Sequence, residues 1–170
     1  KTVKELPEYQ IVLAQAPSID ESWYTELTTA HPDLKHVKNA TYDLLNQAHA
    51  ALVTSGTATL ETALFSVPQI VMYKGSWLSY QLAKRLVKIK YISLVNLIMD
   101  RPVVPEMIQS DSHPHRVRPL LHQLLKGPVR DKMLSDYDDL RKNLRGSGTS
   151  DRVAELIIHD IRHHGVQPGK

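Results

Sequence analysis

Short apolar runs alternate with amphipathic stretches along the first part of the chain. Residues that interrupt regular structure flank each apolar run, so the runs are predicted to be strands. The runs cover residues 11–14, 34–37, 51–53 and 69–73. Between the last two, apolar residues recur at helical spacing until Pro68 ends the predicted helix. These residues are Leu60, Ala63, Leu64 and Val67. The alternation predicts an α/β fold with a Rossmann-like parallel sheet and helices on both faces.

Beyond about residue 104 the pattern becomes helical. The pattern predicts two consecutive helices, separated at Gly127-Pro128, over residues 114–127 and 129–145. A last amphipathic helix is predicted after the glycine-rich break at 146–148. A further helix is predicted over residues 77–88, leading to the segment 91–98. We therefore predict a Rossmann-like domain over residues 1–126 and a helical tail over 127–170, which packs on that domain or on a preceding half.

Composition narrows the classes of function. The chain has 170 residues, enough for one core, and no cysteine, which excludes disulfides, thiolate metal sites and cysteine nucleophiles. No apolar run approaches the roughly 20 residues that span a bilayer, so only a peripheral membrane role is expected. The net charge of +3 indicates an anionic partner only weakly. Because the chain starts without methionine or a signal segment, we expect a fragment.

The clearest candidate for chemistry lies in residues 51–64, ALVTSGTATLETAL. Ser55, Gly56 and Thr57 stand where a strand gives way to a helix, so free amides and hydroxyls could cradle a diphosphate. Glu61 lies one helical turn beyond Thr57 on the same face, about 5–6 Å away, where a carboxylate can accept both ribose hydroxyls. The GxGxxG and GxxxxGK[ST] patterns are absent, which leaves dinucleotide binding and ATP hydrolysis without support.

A simpler interpretation of the same residues remains open. Ser55 or Thr57 could cap the helix, and Glu61 could merely complement the helix dipole, which is worth a few tenths of a kcal/mol. Ala58 stands three residues before Glu61, so Glu61 is not the reciprocal partner of a capping box. The sequence alone does not decide between a diphosphate-binding turn and a helix capped by its own side chains.

Two other segments have competing interpretations. Residues 77–90 combine Trp77 and Tyr80 with lysines. This composition is typical of a segment that binds an anionic membrane surface, and equally of an ordinary helix that covers the sheet and exposes its lysines to solvent. His159 and His163 are spaced for a metal, but no carboxylate ligand stands nearby, so a solvated helix face is favoured and no metal is predicted. No aromatic-rich basic stripe supports a nucleic-acid partner.

Four motifs together carry a family resemblance: LAQAPSID, ALVTSGTATLETALFSVPQIVMY, LAKRLVKIKYISLVNLI and GSGTSDRVAELI. With them the chain resembles the lipid-A-disaccharide synthase family, inverting glycosyltransferases of the two-Rossmann GT-B fold. The resemblance covers essentially the whole chain and implies the carboxyl-terminal, donor-binding half of a longer enzyme. That enzyme transfers 2,3-diacylglucosamine from UDP to 2,3-diacylglucosamine 1-phosphate, forming the β(1→6) lipid A disaccharide and releasing UDP.

The resemblance also implies a site. Ser55, Gly56 and Thr57 would hold the diphosphate and Glu61 the ribose. Asn96 would lie near the donor phosphates or sugar, and the backbone around Val37 would meet the uracil. Such enzymes use no cofactor or metal, work in the cytoplasm at the inner membrane, and take a UDP-sugar donor and a lipid acceptor. A homodimer by exchange of the helical tail is a further hypothesis.

Three departures from the family pattern limit what carries over. The family's glycine-serine-arginine loop would precede Lys1, as would the half with the acceptor site and general base, so no catalytic residue is expected here and the chain alone should be inactive. Gln15 stands where the family commonly has glycine. The alternatives are another GT-B enzyme with a different UDP-sugar, a noncatalytic Rossmann-like interaction domain, and a basic module that binds nucleic acid.

Overall fold

The computed structural model describes residues 8–16, 18–74, 90–144 and 154–160. Its strands are β1 (Val12–Gln15), β2 (Lys35–Lys38), β3 (Ala51–Thr54), β4 (Gln69–Tyr73) and β5 (Glu106–Ile108). Its helices are α1 (Glu21–Ala30), α2 (Thr41–Gln47), α3 (Thr57–Leu64), α4 (Leu94–Met99), α5 (Pro114–Leu125) and α6 (Pro128–Leu144), and a 3-10 turn covers Gln109–Asp111. Residues 154–160 are also helical and exposed. Strands and helices thus alternate through the first half, as the sequence predicts.

Every strand pair is parallel, and the strands form two hydrogen-bonded sheets. One sheet pairs β1 with β2, and the other has the order β3-β4-β5. In the central strand β4, Ile70 and Val71 are fully buried, as expected for a parallel strand paired on both sides. The predicted α/β class with parallel strands and flanking helices is confirmed. Within the described ranges, however, no backbone ladder joins β1 and β2 to the other three strands.

Two elements differ from the sequence prediction, and a third falls in the segment 91–98, to which the pattern assigned no element. Strand β5 falls where only loop and helix were expected, because three residues after Pro105 are too short to show a period of two. Helix α3 ends at Leu64 rather than reaching Val67, which is buried in the turn that follows. Residues Leu94–Met99 form a short helix capped by Ser93. The helix predicted over residues 77–88 lies outside the described residues.

Helix α6, which the sequence division placed in the helical tail, shares buried contacts with the three-stranded sheet. Met133, Tyr137 and Leu140 from this helix share one buried cluster with Ile70 and Val71 of β4. Burial of these large side chains stabilises the fold by about 1.5–3 kcal/mol each. Within the part of the chain that the structure describes, no helix has the length and apolar character needed to cross a bilayer.

A buried polar pair ties α6 to the sheet. The Gln69 side-chain amide donates to the Thr59 carbonyl at 2.8 Å and to the Tyr137 hydroxyl at 3.3 Å. Burial raises the pKa of the Tyr137 phenol, so the hydroxyl stays neutral and accepts this bond.

We expect Tyr137→Phe to lower the free energy of unfolding by about 1 kcal/mol, because one buried hydrogen bond is lost while the ring still fills its site. Urea denaturation followed by circular dichroism measures the change. Tyr73→Phe is the matched control, since the Tyr73 hydroxyl makes no hydrogen bond among the described residues. Equal stability of the two variants would show that the buried bond contributes nothing.

Candidate functional site

The turn between β3 and α3 has a backbone that favours glycine. Gly56 lies at φ +148° and ψ −164°, a region that other residues enter only at a cost of order 1–3 kcal/mol. A Cβ atom built on Gly56 would meet no atom of the described residues within 4 Å, so these residues leave the space in front of the turn open. The backbone can therefore be approached closely from outside at this position.

The amino terminus of α3 has unused backbone donors. Gly56 is the residue that precedes the helix, and no side chain caps it. The Gly56 carbonyl accepts from the Thr59 amide at 3.2 Å. The amides of Gly56, Thr57 and Ala58 have no acceptor among the described residues. The simpler interpretation is therefore wrong on its main point, because neither Ser55 nor Thr57 caps this helix.

The two hydroxyls beside Gly56 have different surroundings. The Ser55 hydroxyl donates to the Ile92 carbonyl at 3.0 Å, and its amide donates to the Met72 carbonyl at 3.1 Å. The donor of Ser55 is thus used within the protein, and only its oxygen lone pairs remain for other groups. Thr57 is exposed, and its hydroxyl makes no hydrogen bond within the described ranges.

Glu61 lies on the face of α3 that turns towards α2. Its carboxylate oxygen Oε1 lies 3.5 Å from the Tyr42 hydroxyl, at the long limit for a hydrogen bond. The Tyr42 ring stacks on Phe65, with ring centroids 5.4 Å apart and planes 8° apart. The half-buried carboxylate therefore retains most of its capacity to accept hydrogen bonds.

Asn96 is buried, and its side chain is fully occupied. The amide nitrogen Nδ2 donates to the Val104 carbonyl at 2.9 Å and to Glu106 Oε1 at 2.8 Å. The oxygen Oδ1 accepts from the amides of Val103 at 2.8 Å and Val104 at 2.9 Å. A direct contact between this side chain and a ligand would have to replace one of these four bonds, so the arrangement favours a role in holding the loops.

Glu106 is a polar residue of the site region that sequence reasoning missed. Its carboxylate accepts from the backbone amides of Ile92 and Ser93 and from the Asn96 side chain, at 2.8–3.2 Å. The segment PEMI has the sequence of an ordinary loop. The only local indication of a functional role for Glu106 was a carboxylate at the end of an apolar stretch. Its partners stand 10–14 residues earlier in the chain and are brought together by folding.

Val37 and Gln15 belong to the other sheet. Val37 pairs in register with Ala14, and Gln15 pairs with Lys38 at the carboxyl ends of β1 and β2. Gln15 is 5% exposed, and its oxygen Oε1 has no hydrogen-bond partner among the described residues. The structure thus groups Ser55, Gly56 and Asn96 around the three-stranded sheet and places Val37 on the two-stranded one.

Most of the basic segment 77–90 lies outside the described residues. Lys90 is described, and its ammonium pairs with Asp100 at 2.8 Å and lies 5.2 Å from the centre of the Tyr91 ring. The carboxylate raises the pKa of Lys90. His163 is likewise outside the described residues, among which no group of three or more His, Asp or Glu side chains could hold a metal ion.

Comparison with known proteins decides the family. The sequence profile described as Lipid-A-disaccharide synthetase matches residues 2–158. The chain belongs to this family. It is 36% identical over 159 residues to a lipid-A-disaccharide synthase of Anaeromyxobacter dehalogenans, covering 92% of this chain and 42% of that protein. The synthase of Syntrophus aciditrophicus is 37% identical over 156 residues, covering 90% of this chain and 41% of that protein.

A more distant relative of the family shows the same coverage. The lipid-A-disaccharide synthase of Rhodospirillum centenum is 32% identical over an alignment of 181 positions, which covers 96% of this chain and 44% of that protein. The chain therefore spans less than half of the length of these curated relatives. The resemblance in the sequence motifs is confirmed at the level of the family, and the β3–α3 turn lies inside the matched range.

Proposed function

We propose that this chain is the UDP-sugar-binding part of a glycosyltransferase that forms the lipid A disaccharide. The observation that carries the proposal is the uncapped amino terminus of α3 behind Gly56, in a chain of the lipid-A-disaccharide synthetase family. Free amides at a helix amino terminus bind phosphate groups, because the helix dipole and the N–H donors both favour negative charge.

The diphosphate lies on the amides of Gly56, Thr57 and Ala58 in this proposal. The free Thr57 hydroxyl adds a donor at the rim of the turn. Ser55 fixes the turn through its bond to Ile92 rather than donating to phosphate. Departure of UDP leaves negative charge on the diphosphate, and donors already in place stabilise that charge without reorganisation. No metal or cofactor is needed for this step as proposed.

The ribose lies against Glu61. One turn of α3 separates the Thr57 amide from this carboxylate, about the distance from a phosphate to the ribose hydroxyls. Uracil is proposed to meet the backbone near Val37. The acceptor, 2,3-diacylglucosamine 1-phosphate, and the general base are assigned to chain beyond this one. Disaccharide formation with 2,3-diacylglucosamine as the transferred sugar therefore needs a longer protein. We place that protein at the cytoplasmic face of the membrane, because its acceptor carries acyl chains.

The test of this site compares two nucleotides. We expect Glu61→Ala to weaken UDP binding about 10- to 100-fold, because two hydrogen bonds to a charged group are lost. The same substitution should leave the affinity for 2′,3′-dideoxy-UDP unchanged, since that ligand lacks the hydroxyls. Isothermal titration calorimetry measures all four affinities.

Glu26→Ala is the matched control, because Glu26 is an exposed carboxylate of α1. It should bind both nucleotides as the unaltered chain does. Equal losses for the two nucleotides in Glu61→Ala would contradict a ribose contact. Equal affinity for UDP and for ADP, titrated in the same way, would favour a noncatalytic interaction domain. Steeply salt-dependent binding of any polyanion would indicate a nucleic-acid module.

A further inference from the structure

The carboxylate of Glu106 holds the segment that leads into α4. Its Oε1 accepts from the Ser93 amide at 2.9 Å and from the Asn96 side chain at 2.8 Å. The Ile92 amide donates to both carboxylate oxygens, at 3.0 Å to Oε2 and at 3.2 Å to Oε1. Ser93 in turn caps α4 by accepting from the Asn96 amide at 3.2 Å. One carboxylate on β5 thus fixes two successive peptide groups and one side chain.

The Ile92 residue joins this network to the β3–α3 turn. Its amide donates to Glu106, and its carbonyl accepts from the Ser55 hydroxyl at 3.0 Å. Ser55 directly precedes Gly56, whose amide has no acceptor in the described part of the chain. The route from Glu106 to the open turn therefore consists of two hydrogen bonds and one residue between them.

We propose that Glu106 is a positioning residue for the diphosphate-binding turn, acting through Ile92 and Ser55 without touching the ligand. The inference rests on the proposed function, because it assigns a role within the same site. Glu106 holds Ile92 so that its carbonyl meets the Ser55 hydroxyl, and this bond orients the peptide groups on either side of Gly56. The amides then point outwards before the nucleotide arrives.

A carboxylate is needed at this position for a geometric reason. Glutamine can keep one oxygen for Ser93 and Asn96, but its NH₂ group would then face the Ile92 amide, and two donors would oppose each other. Glu106→Gln therefore replaces the shorter of the two Ile92 bonds by a repulsive contact between two donors, leaves only the 3.2 Å bond to the remaining oxygen, and preserves the size of the side chain. Glu106→Asp keeps the charge and shortens the reach, so it is the second variant if the glutamine protein does not fold.

A double-mutant cycle on UDP affinity tests the proposal. We expect Glu106→Gln and Ser55→Ala each to weaken UDP binding about tenfold. The double variant should bind UDP about as weakly as the single variant with the lower affinity, because Ser55→Ala already removes the link that Glu106→Gln disturbs. Losses that multiply to about a hundredfold would overturn the proposal, since independent effects combine in that way.

Amide chemical shifts of the ligand-free chain give a readout that does not depend on UDP. In Glu106→Gln, the NMR signals of Gly56 and Thr57 should move together with that of Ile92. Glu26→Gln makes the same chemical change at an exposed site and should leave these signals in place. Unmoved Gly56 and Thr57 signals in Glu106→Gln would overturn the positioning role, whereas failure of the unaltered chain to bind UDP would overturn the proposed function instead.

Discussion

Asn96→Ala is expected to destabilise the protein by about 3–5 kcal/mol, a larger loss than most single substitutions cause. The substitution removes four hydrogen bonds from a site that is 1% exposed. It leaves the amides of Val103 and Val104 without acceptors in the core, and unsatisfied buried groups cost more than the bonds themselves contribute. Urea denaturation with two spectroscopic probes measures the free energy of unfolding.

Asn143→Ala is the matched control for this prediction. Asn143 is exposed near the end of α6, and its side-chain amide donates to the Met99 sulfur at 3.4 Å, a weak bond. Its loss should change stability by less than about 0.5 kcal/mol. If both asparagine variants unfold at the same urea concentration, the buried network around α4 does not hold the loops as described.

Gly56→Ala is expected to weaken UDP binding more than tenfold, with a stability cost of order 1–3 kcal/mol. The φ of +148° strains any residue that has a Cβ, so the turn must shift, and the three free amides lose their common orientation. The methyl group also enters the open space where a phosphate would approach. Calorimetric titration with UDP and thermal unfolding together separate the two effects.

Gly127→Ala separates backbone strain from binding. Gly127 also has positive φ, at +95°, and a methyl group placed on it would meet no atom within 4 Å, but it lies between α5 and α6. Its substitution should lower stability and leave UDP affinity unchanged. Equal UDP affinity in the Gly56 and Gly127 variants would contradict the assignment of the phosphate site to the β3–α3 turn.

The turn could be predicted from the sequence because its signals are local. A strand, a glycine and a helix follow each other within residues 51–64, and the backbone of Gly56 is what such a junction requires. The α/β class could also be predicted, since apolar residues are spaced differently along buried parallel strands and along helices. Sequence reasoning could not decide whether Ser55 caps α3, because its hydroxyl instead meets Ile92, 37 residues away.

The network behind the turn could not be predicted, because it depends on tertiary contacts. Strand β5 is too short to show a pattern, yet its pairing with β4 places Glu106 beside Val71 in register. From there the carboxylate reaches the amides before α4. Asn96 was expected near the ligand, and only the folded chain shows that its hydrogen-bonding groups are already used. Its contact with the donor stays a prediction.

The most direct test of the central claim is an NMR titration of the isotopically labelled chain with UDP, with ADP as the comparison. We expect UDP to shift the amide signals of Gly56, Thr57 and Ala58 most strongly, with further shifts at Glu61, and ADP at the same concentration to leave them in place. A well-dispersed spectrum in which UDP moves none of these amide signals would show that the β3–α3 turn does not bind the nucleotide.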